Sequence, residues 1–163
     1  MSATTEIGVY IGDVKLGQPH TRLSAILGSC IGIALIDRRF GACTLSHSLL
    51  PFNANSDPAR PGRWVNQAVH AAIELLNVPP GRTRSVQAVV AGGGCMINSQ
   101  SKSKIEIGQA NIKAAIEALD TLRIPVVAQD VGGTHGRRIS ICADSLDHEI
   151  LRIPRAEPAE VTL

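Results

Sequence analysis

Apolar and polar residues alternate through Ile7–Lys15, where Ile7, Val9 and Ile11 are set against Gly8, Tyr10 and Gly12. That period of two predicts a half-buried strand. Thr21–Leu27 is a second candidate strand, punctuated by Gly28 and Ser29. Ile31–Ile36 is almost wholly apolar, as a strand buried on both faces is. The polar turn Asp37–Gly41 then predicts a hairpin between that strand and Ala42–Leu50. Pro51 stops the second arm because it lacks the ladder donor. Phe52–Gly62, rich in Asn, Asp, Pro and Gly, reads as a loop.

The period changes at Arg63–Asn77. Val65, Ala68, Val69, Ala72, Leu75 and Leu76 make one helical stripe, and Arg63, Asn66, Gln67, His70, Glu74 and Asn77 take the other side. Pro79-Pro80-Gly81 ends this helix. Ser85–Ala91 predicts a strand running into Gly92-Gly93-Gly94, and Asn98–Lys104 has the composition of an exposed loop. A second amphipathic helix is expected over about Gln109–Leu122, with Ile112, Ala115, Ile116, Leu119 and Leu122 as its stripe. Further strands are expected at Pro125–Gln129, Arg138–Ala143 and Glu149–Ile153. Strands outnumber helices and the first four come in succession, so the pattern predicts one α+β domain over residues 1–153. Residues 154–163 read as a loose C-terminal tail.

The chain has 163 residues, one domain's worth, and 44% hydrophobic residues are enough for a sizeable core. Aromatics are only 2%, so aliphatic side chains must fill that core. Neither a basic stripe nor aromatic stacking platforms accompany the net charge of +2, which argues against a nucleic-acid reader. No run approaches the roughly 20 apolar residues of a membrane span, and MSATTEIGVYIGDVK shows no secretory pattern. The expected location is the cytoplasm, with no membrane insertion and a monomeric state. The four cysteines make no CxxC pair and read as reduced thiols. Cys43 and His47 would stand about 13 Å apart on a strand, so no metal site is expected.

Chemistry concentrates in Ser24–Pro51. Cys30 follows a Gly-Ser turn at the mouth of a buried strand, where small neighbours leave a nucleophilic thiol open to attack on a substrate. Its own N–H, with a neighbour at Gly28 or Ser29, is a candidate oxyanion donor. His47 lies on the returning strand and is placed to lower the Cys30 pKa as a thiolate–imidazolium pair, then to protonate an amine leaving group. The plainer reading is a small core thiol beside a half-exposed histidine. Cys95 and Cys142 read as packing residues. Arg137 and Arg138 suit either surface charges or anchors for an acidic partner, and Gly92–Gly94 a tight turn or backbone close to a substrate. Trp64 reads as an indole closing the end of the core.

LGSC at 27–30, His47 before LLP, PGRW at 61–64, AGGG at 91–94, IGQAN at 107–111 and QDVGG at 129–133 occur in the order of the CheD family of chemoreceptor glutamine deamidases, which the chain resembles over nearly all of residues 7–153. The resemblance implies a cofactor-free cysteine hydrolase that converts glutamines of methyl-accepting chemoreceptors to glutamate. It implies a CheC-type phosphatase as a partner and a compact α/β sandwich of mixed β-sheets with two main helices packed outside, akin to deamidating bacterial toxins. The family nucleophile matches Cys30 and its histidine matches His47. The third polar residue, typically a threonine six positions before the cysteine, is here Ser24. An open groove suited to a receptor helix is expected at the site. A non-catalytic module binding receptor or phosphatase, and a cysteine hydrolase acting on small amides, are the alternatives.

Overall fold

The computed structural model describes residues 3–95 and 102–154. Among the described residues, nine strands form two mixed sheets: β1 (Thr5–Gly8), β2 (Val14–Leu16), β3 (Thr21–Leu27), β4 (Ile31–Asp37), β5 (Ala42–Ser48), β6 (Gln87–Gly92), β7 (Val126–Val131), β8 (Gly136–Cys142) and β9 (His148–Ile153). One sheet has four strands in the order β1-β3-β8-β9, the other five in the order β2-β5-β4-β6-β7. Only β1 with β3 and β6 with β7 run parallel; the other neighbours are antiparallel. Two helices, α1 (Val65–Leu75) and α2 (Lys102–Thr121), complete the α+β architecture. No helix among the described residues is long and apolar enough to cross a membrane.

The layers follow from β4, whose seven residues are all buried. Ile31, Ile33 and Leu35 face one way and join Val65, Val69 and Ala72 of α1 and Ala115 and Leu119 of α2. Ala34 and Ile36 face the other way and join Leu23, Ala25 and Leu27 of β3 and Ile139 and Ile141 of β8. The five-stranded sheet is therefore the middle layer, with both helices on one side and the four-stranded sheet on the other. Alternation along β3 leaves Arg22, Ser24 and Ile26 on the outer face of that second sheet, where Ile26 is 67% exposed.

Several expectations change. Ile7–Lys15 is not one strand: the chain leaves the four-stranded sheet after Gly8 and enters the five-stranded sheet at Val14. Gly12, at φ +92°, permits the turn between them. Leu75 and Ile116 are partly exposed rather than core, because the sheet beneath covers only the centre of each helix stripe. Residues 98–101 of the expected loop lie outside the described residues, but Lys102–Lys104 already belong to α2, so this helix starts seven residues before the apolar stripe announces it. A 3-10 turn, Pro80–Ser85, precedes β6. Of the expected tail, residues 155–163 lie outside the described part.

Arg137 is no surface charge. Its side chain is 2% exposed, pairs with Asp130 at 3.0 Å and donates to the carbonyls of Gly132 and His135. It thus joins the β7–β8 connection to the edge of the middle sheet. Arg138 is exposed and pairs with Glu6. His20, which has no visible partner in the sequence pattern, sits 3.1 Å from Asp144.

Candidate active site

Cys30 and His47 come from the two arms of the β4–β5 hairpin. His47 is registered opposite Gly32, and Cys30 lies two residues before Gly32 on the same strand, so both side chains belong to the face turned toward the four-stranded sheet. Such diagonal positions have backbones about 7–8 Å apart, within reach of a side chain as long as imidazole. Gly32 presents no side chain between them, and the space is taken by Leu27 and Ile139 from the facing sheet.

The crossing segment between β1 and β2 runs over His47. Gly12 N–H donates to the His47 carbonyl at 2.8 Å, and His47 N–H donates to the Asp13 carbonyl at 3.0 Å. This brings the Val9 carbonyl to 2.9 Å from His47 Nδ1. A carbonyl can only accept, so Nδ1 carries the proton and Nε2 is left with its lone pair. Nε2 is buried and has no hydrogen-bond partner among the described residues. The imidazole is thereby set up as a base whose remote nitrogen is already satisfied.

Ser24 stands one step behind this contact. Its carbonyl accepts the Val9 N–H at 2.7 Å, but its side chain belongs to the outer face of the four-stranded sheet, opposite Ser140. The group that orients His47 is therefore the Val9 carbonyl, with Ser24 holding Val9 through the backbone. Sequence patterns carry no signal for a main-chain acceptor, and none could have identified Val9.

Three successive carbonyls of the Gly28–Cys30 turn are anchored from one side. Gly94 N–H donates to Gly28 at 2.9 Å, Asn111 Nδ2 to Ser29 at 2.9 Å and Gly93 N–H to Cys30 at 2.8 Å. In a trans peptide the C=O of one residue and the N–H of the next point in opposite directions, and no cis bond occurs among the described residues. Anchoring the Gly28 and Ser29 carbonyls therefore aims the Ser29 and Cys30 amides the other way. The Cys30 amide indeed lies against its own sulfur. Of the candidate donors, the Ser29 and Cys30 amides point away from the anchored carbonyls, while Gly28 contributes its carbonyl as an anchor. The triple glycine is close backbone, as expected, but to this turn: a Cβ at Gly93 would collide with Ile112 of α2.

The electrostatics differ from the expected ion pair. Burial pushes the Cys30 thiol above its ordinary value, outweighing the favourable contact with its own amide. Burial also holds His47 below its ordinary value, against smaller opposing effects of the Val9 carbonyl and Asp13. At neutral pH the two groups rest as thiol and neutral imidazole, because neither charge has enough solvation to form unaided. The thiol that burial spares is Cys142, which is half-exposed: contacts with the backbone and hydroxyl of Ser145 lower its pKa. Cys142 is thus not a packing residue, whereas Cys43 is buried and pushed up to about 11, chiefly by desolvation.

The expected open groove is not seen at Cys30 and His47, which are 8% and 6% exposed. A cavity of about 980 Å³ lies elsewhere, between α1, α2 and the 52–61 loop, and neither residue lines it. Trp64 is the half-buried N-cap residue of α1, stacked under Arg63.

Comparison with known proteins gives a consistent family. The model described as CheD chemotactic sensory transduction matches residues 49–152, a span that begins just after His47. A probable chemoreceptor glutamine deamidase CheD of Bdellovibrio bacteriovorus is 33% identical over 148 residues, covering 90% of this chain and 94% of the relative. The protein of the same description from Clostridium botulinum is 36% identical over 149 residues, covering 90% and 91%. Among solved structures, a Neisseria meningitidis protein of the DUF152 family superposes with a TM-score of 0.46 at 10% identity, over 75% of this chain and 54% of the other.

Proposed function

Because the chain belongs to the CheD family, we propose that it is a chemoreceptor glutamine deamidase in which Cys30 is the nucleophile and His47 the acid–base. The observation that supports this most is the His47 Nδ1–Val9 bond, which leaves an unpartnered Nε2 lone pair on the face shared with Cys30.

With a glutamine side chain bound, Cys30 Sγ attacks the δ-carbonyl carbon as its proton passes to His47 Nε2. The carbonyl π pair moves onto oxygen, and the Ser29 and Cys30 amides hold that oxyanion. When the oxyanion collapses, the C–N bond breaks and His47 gives its proton to the departing nitrogen, releasing ammonia and leaving a thioester. Water then attacks the thioester, giving its proton to His47. The C–S bond breaks, the sulfur takes that proton back, and glutamate leaves. The starting thiol and neutral imidazole are restored, and no other group is consumed. A buried, uncharged pair suits this sequence because charge separates only while a substrate is present to receive it.

The same reading places the protein in the cytoplasm as a monomer acting on methyl-accepting chemoreceptors, with a CheC-type phosphatase as a further partner. Incubation with a receptor cytoplasmic fragment should release ammonia and give the mass shift of amide-to-acid conversion at defined glutamines. Cys30→Ala should abolish this, and His47→Ala should slow it by about 10²–10⁴-fold. Turnover by Cys30→Ala at the wild-type rate would overturn the mechanism. Binding without turnover by the wild-type protein would make it a receptor-binding module instead.

A further inference from the structure

The hairpin ladder between β4 and β5 ends at Ile31 and Ser48. The next pair in register would be Cys30 with Leu49, and it does not form. Leu49 N–H donates to Arg63, the Cys30 carbonyl goes to Gly93 on the opposite side, and the two strands part where the nucleophile sits. One side chain spans the opening. Asn111 of α2, fully buried, donates from Nδ2 to the Ser29 carbonyl at 2.9 Å and to the Leu49 carbonyl at 3.0 Å.

We infer that Asn111 is a positioning residue for the oxyanion donors, an inference that rests on the deamidase reading above. Its reach has a structural basis. Gly108 is one turn earlier on the same face of α2, and a Cβ there would stand 2.5 Å from the Gly93 carbonyl. The absence of that Cβ lets the helix approach the triple glycine closely enough for Asn111 to enter the split hairpin. Two acceptors in front of Nδ2 fix which way the amide faces. Its Oδ1 is left buried with no partner among the described residues. An unpaired buried acceptor is unfavourable and uncommon. An apolar residue of similar size would avoid it, so the amide is explained by what its donor end holds.

What it holds is the Ser29–Cys30 peptide plane. With the Ser29 carbonyl fixed on Nδ2, the Cys30 N–H must point to the opposite side, where the tetrahedral oxygen forms. The second bond ties that plane to the strand end two residues beyond His47. Without the amide, the Ser29 carbonyl is free to turn, and the donor turns with it. The thiol is on a different bond and stays where it is.

That separation supplies the test. Asn111→Ala and Asn111→Ser should lower kcat for receptor-fragment deamidation by about 10²-fold, with KM nearly unchanged. Alkylation of Cys30 by iodoacetamide develops no oxyanion, so it should change at most a few-fold, through the contact between the sulfur and its own amide, against the hundredfold loss in kcat. A merely structural role would move both readouts together. Retention of wild-type kcat in either folded variant overturns the inference, as does a parallel loss of alkylation and turnover. The serine variant, which keeps a hydroxyl donor, guards against failure of the alanine variant to fold. Wild-type protein that releases no ammonia would defeat the deamidase reading itself, a result distinct from equal turnover by wild type and variants.

Discussion

Burial, rather than a preformed ion pair, governs Cys30, and alkylation of the intact protein across pH checks this directly. Of the three thiols with displaced pKa values, Cys142 is half-exposed and lowered, Cys30 is nearly enclosed and raised, and Cys43 is enclosed and raised to about 11. At pH 7 a thiol of pKa 11 is ~10⁻⁴ ionised, whereas one below 9.0 exceeds ~10⁻². That hundredfold difference is partly offset, because a thiolate two units more basic is about tenfold more nucleophilic. Ionisation alone therefore favours Cys142 over Cys43 by about tenfold, and accessibility widens the gap. Cys30 should fall between them, with an inflection above pH 9.0. Brief treatment with iodoacetamide at pH 6–10, digestion, and mass spectrometry of each cysteine peptide gives the three profiles. His47→Ala should leave the Cys30 inflection nearly in place, because a neutral imidazole contributes little charge stabilisation. Fastest labelling of Cys30 at pH 6, lost in His47→Ala, would refute the reasoning by showing a resting thiolate–imidazolium pair.

Three further outcomes follow from the same geometry. His47 must be unprotonated to accept the thiol proton, and its pKa lies below the usual 6.5. A pH profile of kcat/KM should therefore rise on an acid limb centred below 6.5 and stay level until Cys30 ionises above 9.0. Asp130 is held below the usual carboxylate range, first by its hydrogen bond from Arg152 and then by Arg137. Its stabilising contribution is present above the unfolded-state pKa and is lost as pH falls through the lower folded-state value, that is, below about pH 4. Asp130→Ala strands the buried Arg137 cation, and urea titration at pH 7 should show a loss of about 3 kcal/mol that shrinks in acid. An unchanged midpoint would mean that the two carbonyls bound by Arg137 suffice. Gly108→Ala forces a methyl into the Gly93 carbonyl and should cost about 1–3 kcal/mol while slowing turnover. Gly81→Ala, which meets nothing within 4 Å, should stay within about 0.5 kcal/mol of wild type.

The elements most legible in the sequence are those whose burial pattern is simple. Thr21–Leu27 is β3 to the residue, and the apolar run from Ile31 marks a strand buried on both faces. The hairpin from β4 to β5, which brings Cys30 and His47 to one face, was equally readable. Legibility fails where packing, not periodicity, decides. At the start of α2, Lys102, Ser103 and Glu106 are exposed, so no apolar stripe marks the first turns. Arg137 looks like any surface arginine, since its burial depends on Asp130 and on two carbonyls brought together only by the β7–β8 connection.

The site itself divides along the same line. Cys30 and His47 are visible as residue types at a telling spacing, but the groups that hold them in place are mostly main chain. The Val9 carbonyl selects the His47 tautomer, the Ser29 and Cys30 amides point away from their anchored carbonyls, and Gly93 and Gly94 hold that turn. Every residue other than proline owns an N–H and a C=O, so composition and motif cannot say which of them will be used. What marks those positions indirectly is the lack of a side chain. Gly32, Gly93, Gly94 and Gly108 all stand where backbone or a facing side chain must come close, and the Ser24 position matters here through its carbonyl. Glycine spacing in this chain therefore carries information about how the Cys30 turn is held. The pKa directions lie beyond any motif, because they depend on how completely the two sheets close over Cys30 and His47. Burial between the sheets raises the Cys30 pKa and lowers that of His47, widening a gap that already favours the neutral pair, so charge must wait for an amide substrate to supply the place for it to go.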